Sequence, residues 1–149
     1  MTQISVDEVQ PGLVGFLDQA MLHSGSSVEY TMPETTTRPG PFACVKVDGN
    51  NSWWVPLTTR PRTNSGYSRV HIPKKARSGI HPQWLNVEQY LYDGASIYFG
   101  PSSEFCAASY REVTQPAARS LISNEGLQRI QTELRHQIGR RERELSRAP

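Results

Sequence analysis

Trp53-Trp54-Val55-Pro56-Leu57-Thr58-Thr59-Arg60 is the stretch on which the reading of this chain turns. Aromatic and β-branched side chains fit a pleated, half-buried surface, so Ser52 to Leu57 reads as a strand. It closes on Val-Pro-Leu-Thr-Thr, where two hydroxyls and a cation emerge together. Just upstream, Phe42 to Val47 reads as a second strand, entered through Arg38-Pro39. Asp48-Gly49-Asn50-Asn51 joins the two, and Asp-Gly between apolar runs predicts a hairpin because both residues tolerate positive φ.

Working outward, Val28 to Met32, Ser68 to Ile72, Ala95 to Phe99 and Glu104 to Tyr110 read as further short strands. Pro33 to Pro41 is too rich in proline for a ladder. Pro73 to Gly79 reads as a basic loop, and Pro82 to Leu91 as a short helical or irregular segment. Between Ser5 and Leu22, residues Leu13, Val14, Leu17, Ala20 and Met21 share one helical face, which predicts a helix ending near Ser24-Gly25. The alternative is a strand over Leu13 to Leu17. At the other end Ser123 is an N-cap. Leu127, Ile130, Leu134 and Ile138 then form one apolar stripe that ends at Gly139. The expected fold is α+β: a small curled antiparallel sheet or barrel, a C-terminal amphipathic helix and an N-terminal helix. Residues 1–139 are expected to form a single domain and residues 140–149 a frayed, charged tail.

The bulk composition agrees with one soluble domain. The chain has 149 residues, 36% hydrophobic and 20% charged, with 11 Pro and 11 Gly that favour many turns over long helices. No apolar run approaches the ~20 residues that span a bilayer. No charged n-region precedes an apolar stretch at the N-terminus. Cys44 and Cys106 make neither a ligand spacing nor a disulfide framework. A reduced, cytoplasmic setting with no membrane partner is the expectation.

Charge is unevenly spread behind a net +2. Residues 1–37 hold Asp7, Glu8, Asp18, Glu29 and Glu34 with no Lys or Arg. From Arg60 to Arg77 the chain carries Arg60, Arg62, Arg69, Lys74, Lys75 and Arg77 with no acid. A one-signed cluster of this kind attracts phosphates. The acidic N-terminal segment is a candidate to lie across the basic one.

Arg38-Pro39, then Val55-Pro56-Leu57-Thr58-Thr59, then the helix start Ile122-Ser123-Asn124-Glu125-Gly126-Leu127-Gln128-Arg129-Ile130 follow one another in an order that resembles the MazF/PemK family of toxin ribonucleases. The resemblance covers roughly Arg38 to Ile138. It implies an SH3-like barrel and a homodimer that cuts single-stranded RNA without a cofactor. It also implies an antitoxin protein partner. Arg38 and Thr58 would stand at the catalytic site, with Thr59 beside them. The family's opening Gly-Asp strand and late Asp-Gln pair have no clear counterpart; the corresponding late strand reads Ala95-Ser96-Ile97-Tyr98-Phe99-Gly100.

Cutting RNA through its own 2′-hydroxyl needs a proton acceptor, donors for the phosphorane oxygens and a proton for the leaving 5′-oxygen. Arg38 suits the second task, because a guanidinium pairs bidentately with phosphate and stays charged. Thr58 can donate to the same oxygens. His71 is the candidate base, with His81 as the alternative; histidine is the side chain whose ordinary titration lies near neutral pH. No spacing among the four histidines suggests a metal site. Trp53 and Trp54 point to opposite faces of their strand. One belongs to the core and the other, taken as Trp54, offers a stacking surface for an unpaired base. Tyr67 is a second platform, and Arg60, Arg62, Arg69, Lys74 and Lys75 are the phosphate contacts. Two other functions fit the same residues: a non-catalytic barrel that binds nucleic acid or protein, and a relative of the gyrase-poisoning toxins.

Overall fold

The computed structural model describes residues 3–24, 27–30, 40–62, 69–91, 97–111 and 119–146, with 136–146 as backbone only. Its centre is the expected hairpin. Strand β3 (Gly40–Asp48) and strand β4 (Asn51–Thr58) are antiparallel and close on the Asp48–Asn51 pair. Gly49 sits in that turn at φ 58°, in the left-handed region that Asp-Gly predicts. The register slips between Cys44 and Lys46, leaving Val45 as the extra residue of a bulge. The bulge reverses the alternation of β3, so that Lys46 faces the same side as its partner Trp53. The Lys46 ammonium lies 4.7 Å over the Trp53 ring.

On the other side of β3 lies β1 (Leu13–Leu17), in register from Val14–Ala43 to Leu17–Gly40. The expected N-terminal helix is therefore corrected to its alternative. Leu13 and Leu17 enter one core and Val14 the other, as alternation in a strand requires. Gly15 lets Ile4 pack directly on the strand: a Cβ there would stand 2.5 Å from Ile4 Cδ1, and the tip of that side chain would have to shift. Only α1 (Gln19–His23) is α-helical in this region. It is capped by Asp18, whose carboxylate accepts from the Ala20 and Met21 amides at 3.0 and 3.4 Å. It ends at Ser24, where the sequence placed a helix end.

Beyond β1 come β9 (Ser120–Ile122) and the edge strand β6 (Arg77–Ser78). The sequence reading had foreseen neither. On the other flank β8 (Tyr98–Pro101) pairs with the first half of β4, and β2 (Glu29–Tyr30) lies outside it. β4 then changes partner. From Leu57 it pairs with β7 (Gln89–Leu91), which carries β5 (His71–Ile72) on its far side. Pro56 stands at the switch, with no N–H to offer either neighbour. All these pairings are antiparallel, and among the described residues the sheet does not close on itself.

Both faces are covered. One packs Val14, Ala43, Val45, Val55 and Leu57 under Trp84 of α2 (Pro82–Asn86) and under Leu127, Ile130 and Leu134 of α4 (Asn124–Ser146). The other packs Leu13, Leu17, Phe42, Cys44, Trp54 and Tyr98 against Ile4, Leu22 and the residues of α3 (Ser102–Ala107). The sequence reading made Glu104 to Tyr110 a strand, and the structure makes most of it a helix. Ser102, Phe105 and Cys106 are all buried, the i, i+3, i+4 spacing of a helical stripe. Ser123 caps α4 as expected, its hydroxyl accepting from the Gly126 amide at 3.2 Å. The helix runs past its expected end at Gly139 to Ser146. A mid-helix glycine costs only about 1 kcal/mol, and Arg140-Arg141-Glu142-Arg143-Glu144 are good helix formers.

Candidate functional site

The partner switch of β4 builds the site. Thr58 pairs with Tyr90 on β7, and Tyr90 pairs in turn with His71 on β5. Residues directly opposite across antiparallel strands share a face, so these three side chains form one row. The row beneath, with Leu57, Leu91, Gln89 and Ile72, is buried and fixes which face looks outward. The His71 and Tyr90 rings are 5.1 Å apart. His71 Nε2 lies 2.6 Å from Glu88 Oε2, and the other oxygen of that carboxylate is 3.4 Å from Arg77 Nη2. The Arg77 side chain is 1% exposed. Its Nη1 donates to the carbonyls of Trp84 at 2.7 Å and Val87 at 2.6 Å.

Thr58 Oγ1 accepts from the Arg60 amide at 3.3 Å, which leaves its own proton available outward. Arg60 and Arg62 follow as exposed cations, and Thr59 is exposed beside them. Arg69, expected as a phosphate contact, also braces the loop. Its Nη1 donates to the carbonyls of Arg60 (3.3 Å) and Arg62 (2.6 Å), and its amide to that of Pro61 at 2.9 Å. It therefore fixes the segment that carries the other two arginines. Lys74 and Lys75 are exposed on a 3-10 turn leading from β5 to β6.

Trp54 is corrected outright. It is fully buried, stacked on Phe105 at 5.4 Å, and its Nε1 donates to Ser52 Oγ at 2.8 Å. No base can reach it. Trp53 is the half-buried member of the pair, lying against Phe99 and under Lys46. His81, the alternative base, stacks on Phe16 of β1 at 5.3 Å and is not part of the row. Arg38 and Tyr67 lie outside the described residues. β3 begins at Gly40, two positions after Arg38, at the same end of the hairpin as Thr58. Over its described part, the acidic N-terminal segment is tied to the end of α3 and to Arg119. Gln3 donates to the Ala107 and Ser109 carbonyls, and Glu8 pairs with the buried Arg119 at 3.0 Å.

Tyr90 and Glu88 are the site residues that sequence reasoning missed. Their signal was the alternation Glu88-Gln89-Tyr90-Leu91, with polar and aromatic residues outward and Gln89 and Leu91 inward. The preceding α2 masked it. Both thiols are buried, as read from sequence. Burial pushes Cys44 up to about 12 and Cys106 to about 11, so neither presents a thiolate at neutral pH. Among the described residues no group of three or more His, Cys, Asp or Glu is placed to hold a metal ion. No helix of the described residues is long and apolar enough to cross a membrane. Compared with known proteins, the chain matches no family model, no curated protein and no solved structure.

Proposed function

We propose that this chain is an endoribonuclease that cleaves single-stranded RNA by attack of its 2′-hydroxyl, without a metal, as a toxin of the MazF/PemK kind. The observation that carries the reading is the row Thr58–Tyr90–His71, with Glu88 bound to the imidazole. His71 takes the 2′-hydroxyl proton as the 2′-oxygen bonds to phosphorus. Thr58 Oγ1 donates to a non-bridging oxygen of the phosphorane, where charge develops. Arg60 and Arg62 hold the neighbouring phosphates, and Arg38, assigned by the resemblance, joins Thr58. The P–O5′ bond then breaks, and the 5′-oxygen takes a proton from the Tyr90 hydroxyl or from water. The products are a 2′,3′-cyclic phosphate and a 5′-hydroxyl. On this reading the split sheet is an opened variant of the SH3-like barrel. The toxin role adds a homodimer in the cytoplasm and an antitoxin that occupies the site.

The test is incubation of wild type, His71→Asn and Arg38→Ala with a long single-stranded RNA in EDTA, followed by end mapping. The proposal expects discrete cuts with cyclic-phosphate ends from wild type and their loss in both variants. Folded wild type that leaves the RNA intact, yet binds it with an affinity falling steeply with salt, identifies a non-catalytic binding module instead.

A further inference from the structure

A neutral imidazole has one nitrogen that donates and one that accepts, and its hydrogen-bond partners decide which is which. A carboxylate only accepts, so the 2.6 Å contact with Glu88 Oε2 puts the His71 proton on Nε2. Nδ1 is then left free to accept. Glu88 is itself 58% exposed in its side chain, and an unanchored surface glutamate samples many rotamers. Arg77 supplies the anchor. The carbonyls of Trp84 and Val87 hold its guanidinium from the end of α2, and the Trp84 ring lies 5.8 Å from the guanidinium carbon. Nη2 faces the Glu88 oxygen that His71 does not use. We infer that Arg77 is a positioning residue which, through Glu88, fixes the tautomer and orientation of His71 and makes Nδ1 the reacting nitrogen. That Nδ1 reacts rests on the ribonuclease reading; the positioning of His71 does not. Lysine at position 77 would keep the charge and lose the fork, since one ammonium cannot serve both carbonyls and the carboxylate from a fixed plane.

The experiment uses the whole chain labelled with ¹⁵N-histidine, free of RNA, observed by long-range ¹H–¹⁵N correlation. His71 is assigned by the signals lost in His71→Asn. Wild type is expected to show His71 wholly as the Nε2–H tautomer, with an Nε2 proton slow enough in exchange to be seen. That proton signal should vanish in Glu88→Ala and broaden in Arg77→Lys. With RNA as substrate, Arg77→Lys should lower kcat about tenfold at unchanged KM, a fraction of what a general base contributes. An Nε2 proton unchanged in Arg77→Lys, even if lost in Glu88→Ala, or a wild-type ring protonated on Nδ1, overturns the inference. Should Arg77→Lys fail to fold, Glu88→Asp decides: one methylene shorter, it cannot span Arg77 and His71, and the signal should again be lost. Signals as expected from a protein that never cleaves RNA would remove the ribonuclease reading and leave the positioning role standing.

Discussion

His71 and Glu88 have side chains 40% and 58% exposed, so water screens their attraction and the pair adds little to stability. Function and stability therefore separate at this position. His71→Asn should change the free energy of unfolding by no more than about 0.5 kcal/mol. The same substitution should slow RNA cleavage about 10²- to 10⁴-fold. Urea titration and a gel assay on one preparation check both halves. Glu8 and Arg119 are the opposite case, with side chains 13% and 2% exposed. Glu8→Gln leaves a buried guanidinium without that charge partner and should cost about 3 kcal/mol in the same titration. At this scale the sequence was partly legible. Thr58 and His71, which the sheet brings into one row, could be picked out as candidates because hydroxyl and imidazole are chemically conspicuous. Which of Trp53 and Trp54 was buried could not. Alternation assigns opposite faces, but helices cover both faces here, so it does not say which face is deeper.

Among the elements, two glycines at positive φ have different reasons to be there. Gly12, at φ 97°, lies against β9, and a Cβ on it would stand 2.8 Å from the Ile122 carbonyl oxygen. Gly12→Ala should destabilise the protein by about 1–3 kcal/mol. Gly49 faces open space, and Gly49→Asn should cost well under that, because asparagine tolerates the left-handed region. Comparison of thermal midpoints distinguishes the two. The hairpin β3–β4 and the apolar face of α4 were legible because each is long enough to show its period. β6 and β9 have two or three residues each and show no period at all, whereas β5 fell at the end of the strand read over Ser68 to Ile72. β1 was misread for a related reason: five residues with leucine at both ends fit a helical face as well as a strand.

For the molecule as a whole, burial of titratable groups sets a window of stability. Burial lowers His23 from its ordinary 6.5. Its contribution is present above that value and is lost as pH falls through the lowered one, because the unfolded chain binds the proton first. Cys44 and Cys106 are raised from 9.0, and their contribution is present below 9.0 and lost as pH rises through about 11 and 12. Denaturation midpoints should accordingly be flat from about pH 7 to 9 and fall on both sides. His23→Gln should flatten the acid limb, and an acid limb unchanged by it would assign that limb to other groups. Fold class could be read from the chain, since α+β follows from strand and helix periods alone. Topology could not, because nothing in Leu13-Val14 names Ser120-Leu121 as its partner.

That last pairing governs how the protein is made. β1 is synthesised before every other strand of this sheet, yet it pairs with β3 on one side and with β9, the last of them, on the other. Contacts between residues so distant in the chain are slow to form, because loop closure must be paid for in entropy before any contact rewards it. On a ribosome the nascent chain holds the β3–β4 hairpin early, but β1 keeps an unsatisfied edge until Ser120 to Ile122 emerge. The sheet is therefore completed only when its last strand has emerged. A chain stopped short of residue 120 would expose the edge of an interior strand.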